Sequence, residues 1–118
     1  MSMRSLLLFF SVLCLFAQPS ADLTQALHAS RQRINSIDDQ IVNLLNQRAQ
    51  AVREVGLIKK QFDAPASAPG REEQVLRRVA GQAQAPLTPS AAEAIYKGIL
   101  HEMSLMEARE MEKGSQSR

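Results

Sequence analysis

The sequence predicts an all-α protein of three helices, long, short and medium, that assembles as an intertwined homodimer. Three observations lead there. Apolar residues recur at helical spacing through about forty residues without a proline. Two turn-rich breaks follow, and each is succeeded by another stretch of helical periodicity. No alternating strand pattern occurs along the chain.

The long helix is read over Leu23 to Phe62, LTQALHASRQRINSIDDQIVNLLNQRAQAVREVGLIKKQF. Leu27, Ile34, Ile41, Val55 and Phe62 follow one another at seven-residue steps, with Arg48 in the remaining place. Ile37, Leu44, Ala51 and Ile58 sit three residues after members of that set, completing an apolar seam. Asp22 is the expected N-cap, with Gln25 in the capping-box position. Asp63, Ala64 and Pro65 end the helix. At ~1.5 Å per residue it would span ~58 Å, whereas a globule of this size has a radius of gyration of ~13 Å. Such a helix either kinks, with Gly56 the place for it, or reaches across a second copy, and the second solution is the one expected.

The loop DAPASAPG, residues 63–70, carries two prolines. A second helix is read from Arg71 to about Ala83, burying Val75, Leu76 and Val79, and Ala85-Pro86 closes it. Thr88 caps a third helix with Pro89 at its first position. Its expected buried stripe is Ala92, Ile95, Ile99, Met103 and Met106, and the chain turns polar from Met111 to Arg118.

Before all of this lies a different kind of segment. Met1 to Arg4 is short and basic, and Ser5 to Ala17 is an apolar run of 13 residues followed by small residues at Ser20 and Ala21. That run is short for a membrane span and right for the core of a signal peptide. Residues 1–21 are therefore read as an export signal, residues 22–110 as one domain and residues 111–118 as a polar tail, with the product periplasmic or secreted. The single cysteine, Cys14, would leave with the signal, so the remaining 97 or so residues hold no disulfide. Losing Arg4 leaves 13 basic residues against 12 acidic ones, a balance that argues against a nucleic-acid or anionic-membrane partner.

Some charges are hard to explain as structure. Arg48 stands in the apolar seam, where a cation is costly unless something meets it. Lys59 is eleven residues later, ~20° away in direction and ~16 Å along the axis, so the two long side chains can converge on one small ligand. Arg31 is ~25 Å before Arg48, out of reach within one straight helix, but an antiparallel partner would bring its own Arg31 to the site. Three cations around an apolar-lined site suit a small dianion such as a dicarboxylate. For Arg31 and Lys59 taken alone, a solvated helix face explains the charge as well. Glu72 and Glu73 satisfy the dipole of a first turn, so pattern alone does not make Glu72 catalytic. Ser104, on the flank of the third helix, suits close packing or a ligand equally. His28 and His101 are isolated, and no metal-ligand cluster, nucleophile–base pair or phosphate loop occurs. Any chemistry here would rest on charge placement and control of substrate conformation.

These residues resemble the all-helical chorismate mutases over about Leu27 to Met106. The resemblance is carried by Arg31-x-x-Ile34-x-x-Ile37-Asp38, Leu44-Leu45-x-x-Arg48, Val55-Gly56-x-x-Lys59 and Arg71-Glu72, in order and with unbroken spacing. It implies the type II fold, an intertwined three-helix dimer, and the Claisen rearrangement of chorismate to prephenate without cofactor or metal. By the same resemblance Arg48 and the second copy's Arg31 would hold the carboxylates, and Lys59 the ether oxygen and a carboxylate. Glu72 would hold the ring hydroxyl, Arg71 the loop end, and Ser104 a carboxylate.

The chain departs from the family at two places. An aspartate that often precedes the Arg-Glu pair by three residues is Ala68 here, and the glutamine or glutamate expected four residues after the serine is Ala108. Glu107 is adjacent, and a local shift of the helix would bring it in as the missing donor. A glutamate donates only when protonated, so this substitution predicts higher activity at acidic pH. The alternative readings are an isochorismate pyruvate lyase using a similar cationic site, and a non-catalytic helical dimer that binds a small dicarboxylate.

Overall fold

The computed structural model describes residues 20–113. The three helices are α1 (Ala21–Gln61), α2 (Arg71–Gln82) and α3 (Pro89–Glu112), and no strand is present among the described residues. The all-α expectation holds, in the order long, short, medium. The expected export signal lies almost wholly outside the described residues, as do residues 114–118 of the tail. No helix among the described residues is long and apolar enough to cross a membrane.

The chain divides into two units, residues 1–37 and 38–118. In the first, the described residues are Ser20 and the opening stretch of α1, whose side chains, Leu27, Ile34, Ile37 and Arg31 among them, are all exposed. The cap differs from expectation. Ser20 Oγ accepts from the Leu23 backbone N–H at 3.2 Å, and Asp22 lies inside the first turn, where its charge meets the helix dipole.

The second unit holds the rest of α1 with α2 and α3. Val75, Leu76 and Leu100 form its buried cluster, with Val79 and Tyr96 packed against it, and Ala92 and Met103 are also buried. The α2 face is the one expected. The α3 stripe is rotated: Ala92, Tyr96, Leu100 and Met103 turn toward the interior, while Ile95 and Met106 are exposed. Within one chain, α2 covers only that side of α3. The seam of α1 is likewise open, with Ile41, Leu44, Val55, Ile58 and Phe62 all exposed. Gly56 is the only buried residue of α1, which continues through it as one helix to Gln61. Helix α3 runs on through Met111 and Glu112, which the sequence assigned to the tail.

How α1 ends matters for the site. Ala64 N–H donates to the Lys59 carbonyl at 2.8 Å and Asp63 N–H to the Lys60 carbonyl at 3.2 Å, with Asp63 in the left-handed region at φ 54°. This is a Schellman closure with aspartate where glycine is usual. Asp63→Val is expected to cost roughly 1–2 kcal/mol, because a branched side chain tolerates that backbone poorly. Denaturant unfolding checks it, and an unchanged midpoint would contradict the assignment. Gly70, at φ 82°, turns the chain into α2 without a side-chain cap. Ala85-Pro86 is cis. Thr88 Oγ1 accepts from Ala91 N–H at 3.1 Å, and Pro89 opens α3 as expected.

Candidate functional site

The Schellman turn fixes the last turn of α1, and Lys59 is the residue whose carbonyl closes it. Its side chain then folds over the loop that follows. Lys59 Nζ donates to the Ala66 carbonyl at 2.6 Å and to Glu107 Oε1 at 2.5 Å. One ammonium thus ties α1, the connecting loop and α3 together. The pair is largely shielded, with side chains 19% and 14% exposed, so its attraction is screened less than that of a surface pair.

Around this pair lies a cavity of about 170 Å³, lined by Lys59, Ala66, Ser67, Ala68, Arg71, Glu72, Ser104 and Glu107. Each element contributes by its local register. Gly70 starts α2 so that Arg71 and Glu72 occupy its first turn, beside the loop carrying Ala66 to Ala68. Arg71 Nη1 donates to Gln74 Oε1 at 2.6 Å, which steadies the guanidinium along α2. Ser104 and Glu107 are one turn apart on α3 and share a face. The cavity therefore offers an ammonium and a guanidinium for anions, two carboxylates and the hydroxyls of Ser67 and Ser104.

Of the residues singled out in the sequence, Lys59, Arg71, Glu72, Ser104 and Glu107 meet in this one cavity. Glu107 does so from a regular helix, with no local shift of α3. Ala108 does not line the cavity. Arg48 does not line it either; it is half-buried on α1 and forms no ion pair among the described residues. Arg31 is exposed in the first unit. Sequence reasoning missed two participants. The Ala66 carbonyl carries no side-chain signal at all. Gly56 carried one, read as a place for a kink and as part of the Val55-Gly56-x-x-Lys59 segment but not as a contact, whereas a Cβ there would stand 3.3 Å from Glu107 Cγ.

A larger hollow of about 480 Å³ opens elsewhere between α1 and α3, lined by residues including Arg53, Met106, Arg109, Glu110 and Lys113. Its one carboxylate is already shared: Lys113 Nζ lies 2.9 Å and Arg53 Nε 3.3 Å from Glu110. The hydrogen bond from Lys113, with the charge of Arg53 added, holds the Glu110 carboxyl below its ordinary value. Arg53 and Lys113 are 60% and 72% exposed, so this is a solvent-facing charge network of small energetic weight.

Comparisons with known proteins place the chain in a family. The family described as chorismate mutase type II matches residues 30–108, two thirds of the chain. A bifunctional chorismate mutase/prephenate dehydratase of Aquifex aeolicus (strain VF5) is 33% identical over 55 residues, which is 47% of this chain and 15% of that protein. The chain thus covers a small part of that relative's length. With three helices and a family match spanning all three, the chain belongs to the type II chorismate mutase family.

Proposed function

We propose that this protein is a chorismate mutase that converts chorismate to prephenate by binding the dicarboxylate in its reactive shape. The observation that carries the proposal is the convergence of Lys59, Arg71, Glu72, Ser104 and Glu107 on one cavity in a chain of this family. In the rearrangement the ether C–O bond breaks as a C–C bond forms, and no proton or group leaves the substrate. The ether oxygen gains negative charge in the transition state, and a fixed ammonium beside it lowers the barrier without reorganisation. Lys59 takes that role. Arg48 holds a carboxylate, Arg71 supports the loop end, Glu72 accepts from the ring hydroxyl, and Ser104 donates to a carboxylate. No cofactor or metal takes part in this reading.

The site is completed by a second copy. A cavity of 170 Å³ is below the ~300–1,000 Å³ typical of ligand sites, and Arg48 has no ion-pair partner among the described residues. We assign the missing wall to the α1 of a second protomer, which supplies Arg31. Export through residues 1–21 to the periplasm or beyond belongs to the same proposal.

The experiment uses protein beginning at Asp22, incubated with chorismate at about pH 5 and about pH 7.5, with product identified and Arg48→Ala as control. Prephenate from the parent, and a loss of roughly 10²–10³-fold in kcat/KM for the variant, is the expected result. Pyruvate as the product would replace the mutase with a lyase. A second reading has its own observation, since Lys59 is already engaged by Glu107 and the Ala66 carbonyl. Chorismate binding without turnover would identify a dicarboxylate-binding dimer and overturn the proposal.

Glu107 has a second task in this mechanism. As a carboxylate it pairs with Lys59; a neutral donor in its place would leave the ammonium free and would itself donate to the ether oxygen. The charged groups that face it are Lys59 from α1 and Arg71 and Glu72 from the start of α2. Glu107→Gln, a neutral donor, is expected to raise kcat about tenfold. A Glu107→Gln kcat no higher than that of the parent contradicts this role.

A further inference from the structure

We infer that Gly56 is a positioning residue for the Lys59–Glu107 pair, its bare backbone letting α3 approach α1 closely enough to seat the carboxylate on the ammonium. Gly56 is the one residue of α1 that is buried, and what buries it is the C-terminal part of α3. A Cβ at this position would lie 3.3 Å from Glu107 Cγ, 3.6 Å from the Glu107 carbonyl oxygen and 3.7 Å from Met111 Cγ. The first of these is tighter than side chains ordinarily accept. It falls on the methylene that carries the Glu107 carboxylate toward Lys59, one turn along α1 from Gly56. The crossing point of the two helices and the ion pair are therefore a single feature.

Glycine within a helix is otherwise a loss, since alanine at an unconstrained position is the better helix former. Gly81 and Gly98 provide the contrast, because a Cβ at either meets nothing within 4 Å. Only at Gly56 does the close approach offset the weaker propensity. The catalytic consequence rests on the mutase reading above, whereas the control of the ion pair does not.

The test follows both in the protein beginning at Asp22. The ¹⁵N signal of the Lys59 ammonium reports the pair directly and requires no turnover. It is expected to be present in the parent and in Gly81→Ala, and lost in Glu107→Ala and in Gly56→Ala. With chorismate, Gly56→Ala is expected to lower kcat by about 10- to 100-fold, as a displaced catalytic group does, with KM little changed. If Gly56→Ala folds poorly, the double variant Gly56→Ala/Glu107→Ala decides. With no Cγ to meet, alanine at 56 is expected to raise Tm above that of Glu107→Ala alone. A Lys59 signal unchanged in Gly56→Ala, or a Tm effect of Gly56→Ala that is the same with and without the Glu107 side chain, overturns the inference. A lost signal in a protein that never turns over chorismate would retain the positioning role and reject the mutase.

Discussion

Lys59→Ala is expected to lower kcat/KM for chorismate by on the order of 10³-fold, equivalent to ~4 kcal/mol of transition-state stabilisation. No other residue touches as many parts of the site. Its carbonyl closes the end of α1, and its ammonium binds the Ala66 carbonyl and Glu107. Removing it leaves the Glu107 carboxylate shielded and unpaired, so a loss of about 1–3 kcal/mol in folding stability is expected beside the kinetic effect. The two losses are separable. Lys59→Ala/Glu107→Ala removes both members of the pair and is expected to recover most of the stability and none of the turnover. Lys59→Arg keeps the charge but replaces a compact ammonium by a planar fork, and is expected to regain only part of the rate. Turnover within tenfold of the parent in Lys59→Ala would mean that the ether oxygen is not served from this position.

The helices were legible in the sequence because their punctuation is local. Thr88 with Pro89, the proline-rich loop after Phe62 and the start at Arg71 each act within a few residues of where they stand. The errors are local competitions as well. Ser20 caps α1 in place of Asp22, since either residue suits the geometry and periodicity does not choose between them. The stripe of α3 was misread for another reason. Ile95 and Met106 satisfy the helical period, but which arc of an amphipathic helix is covered depends on what lies beside it. In the single chain α2 takes Tyr96 and Leu100 instead.

The site was legible only in part. Charged residues at Arg48, Lys59, Arg71 and Glu72 were visible as charges, and their order resembled a known pattern. The resemblance set Lys59 and Glu107 in one site, but that they would pair with each other was not visible, because they are 48 positions apart and nothing in either segment names the other. The position of Glu107 follows from the crossing at Gly56, a contact made by the absence of a side chain. Composition and period cannot register such a contact. The Ala66 carbonyl escapes for the same reason, as every residue has one.

Charging the seam of α1 is expected to abolish assembly and activity together. Eight apolar seam residues, Leu27, Ile34, Ile37, Ile41, Leu44, Val55, Ile58 and Phe62, are 40% to 79% exposed in the single chain. Covering the exposed part of each is worth roughly 1 kcal/mol, so a second copy laid along the seam gains on the order of 10 kcal/mol per chain. Ile41→Glu places a charge in the strip that the proposed dimer would bury and is expected to leave the chain monomeric, read by sedimentation, with turnover falling below detection. Loss of activity alone would not prove a shared site, since a seam defect also weakens the fold. Complementation separates the two. Arg31→Ala and Arg48→Ala are each expected to be inactive, because each spoils both sites of its own homodimer. Mixed after unfolding and refolding together, half of the dimers carry one chain of each kind. In those, one site draws Arg48 from one protomer and Arg31 from the other and is intact, while the second site lacks both. About a quarter of the parent activity should therefore return from two inactive proteins. A mixture as inactive as its components would place Arg31 and Arg48 in the same chain's site, or Arg31 in no site at all. The seam would then be an assembly surface without a catalytic reason for it.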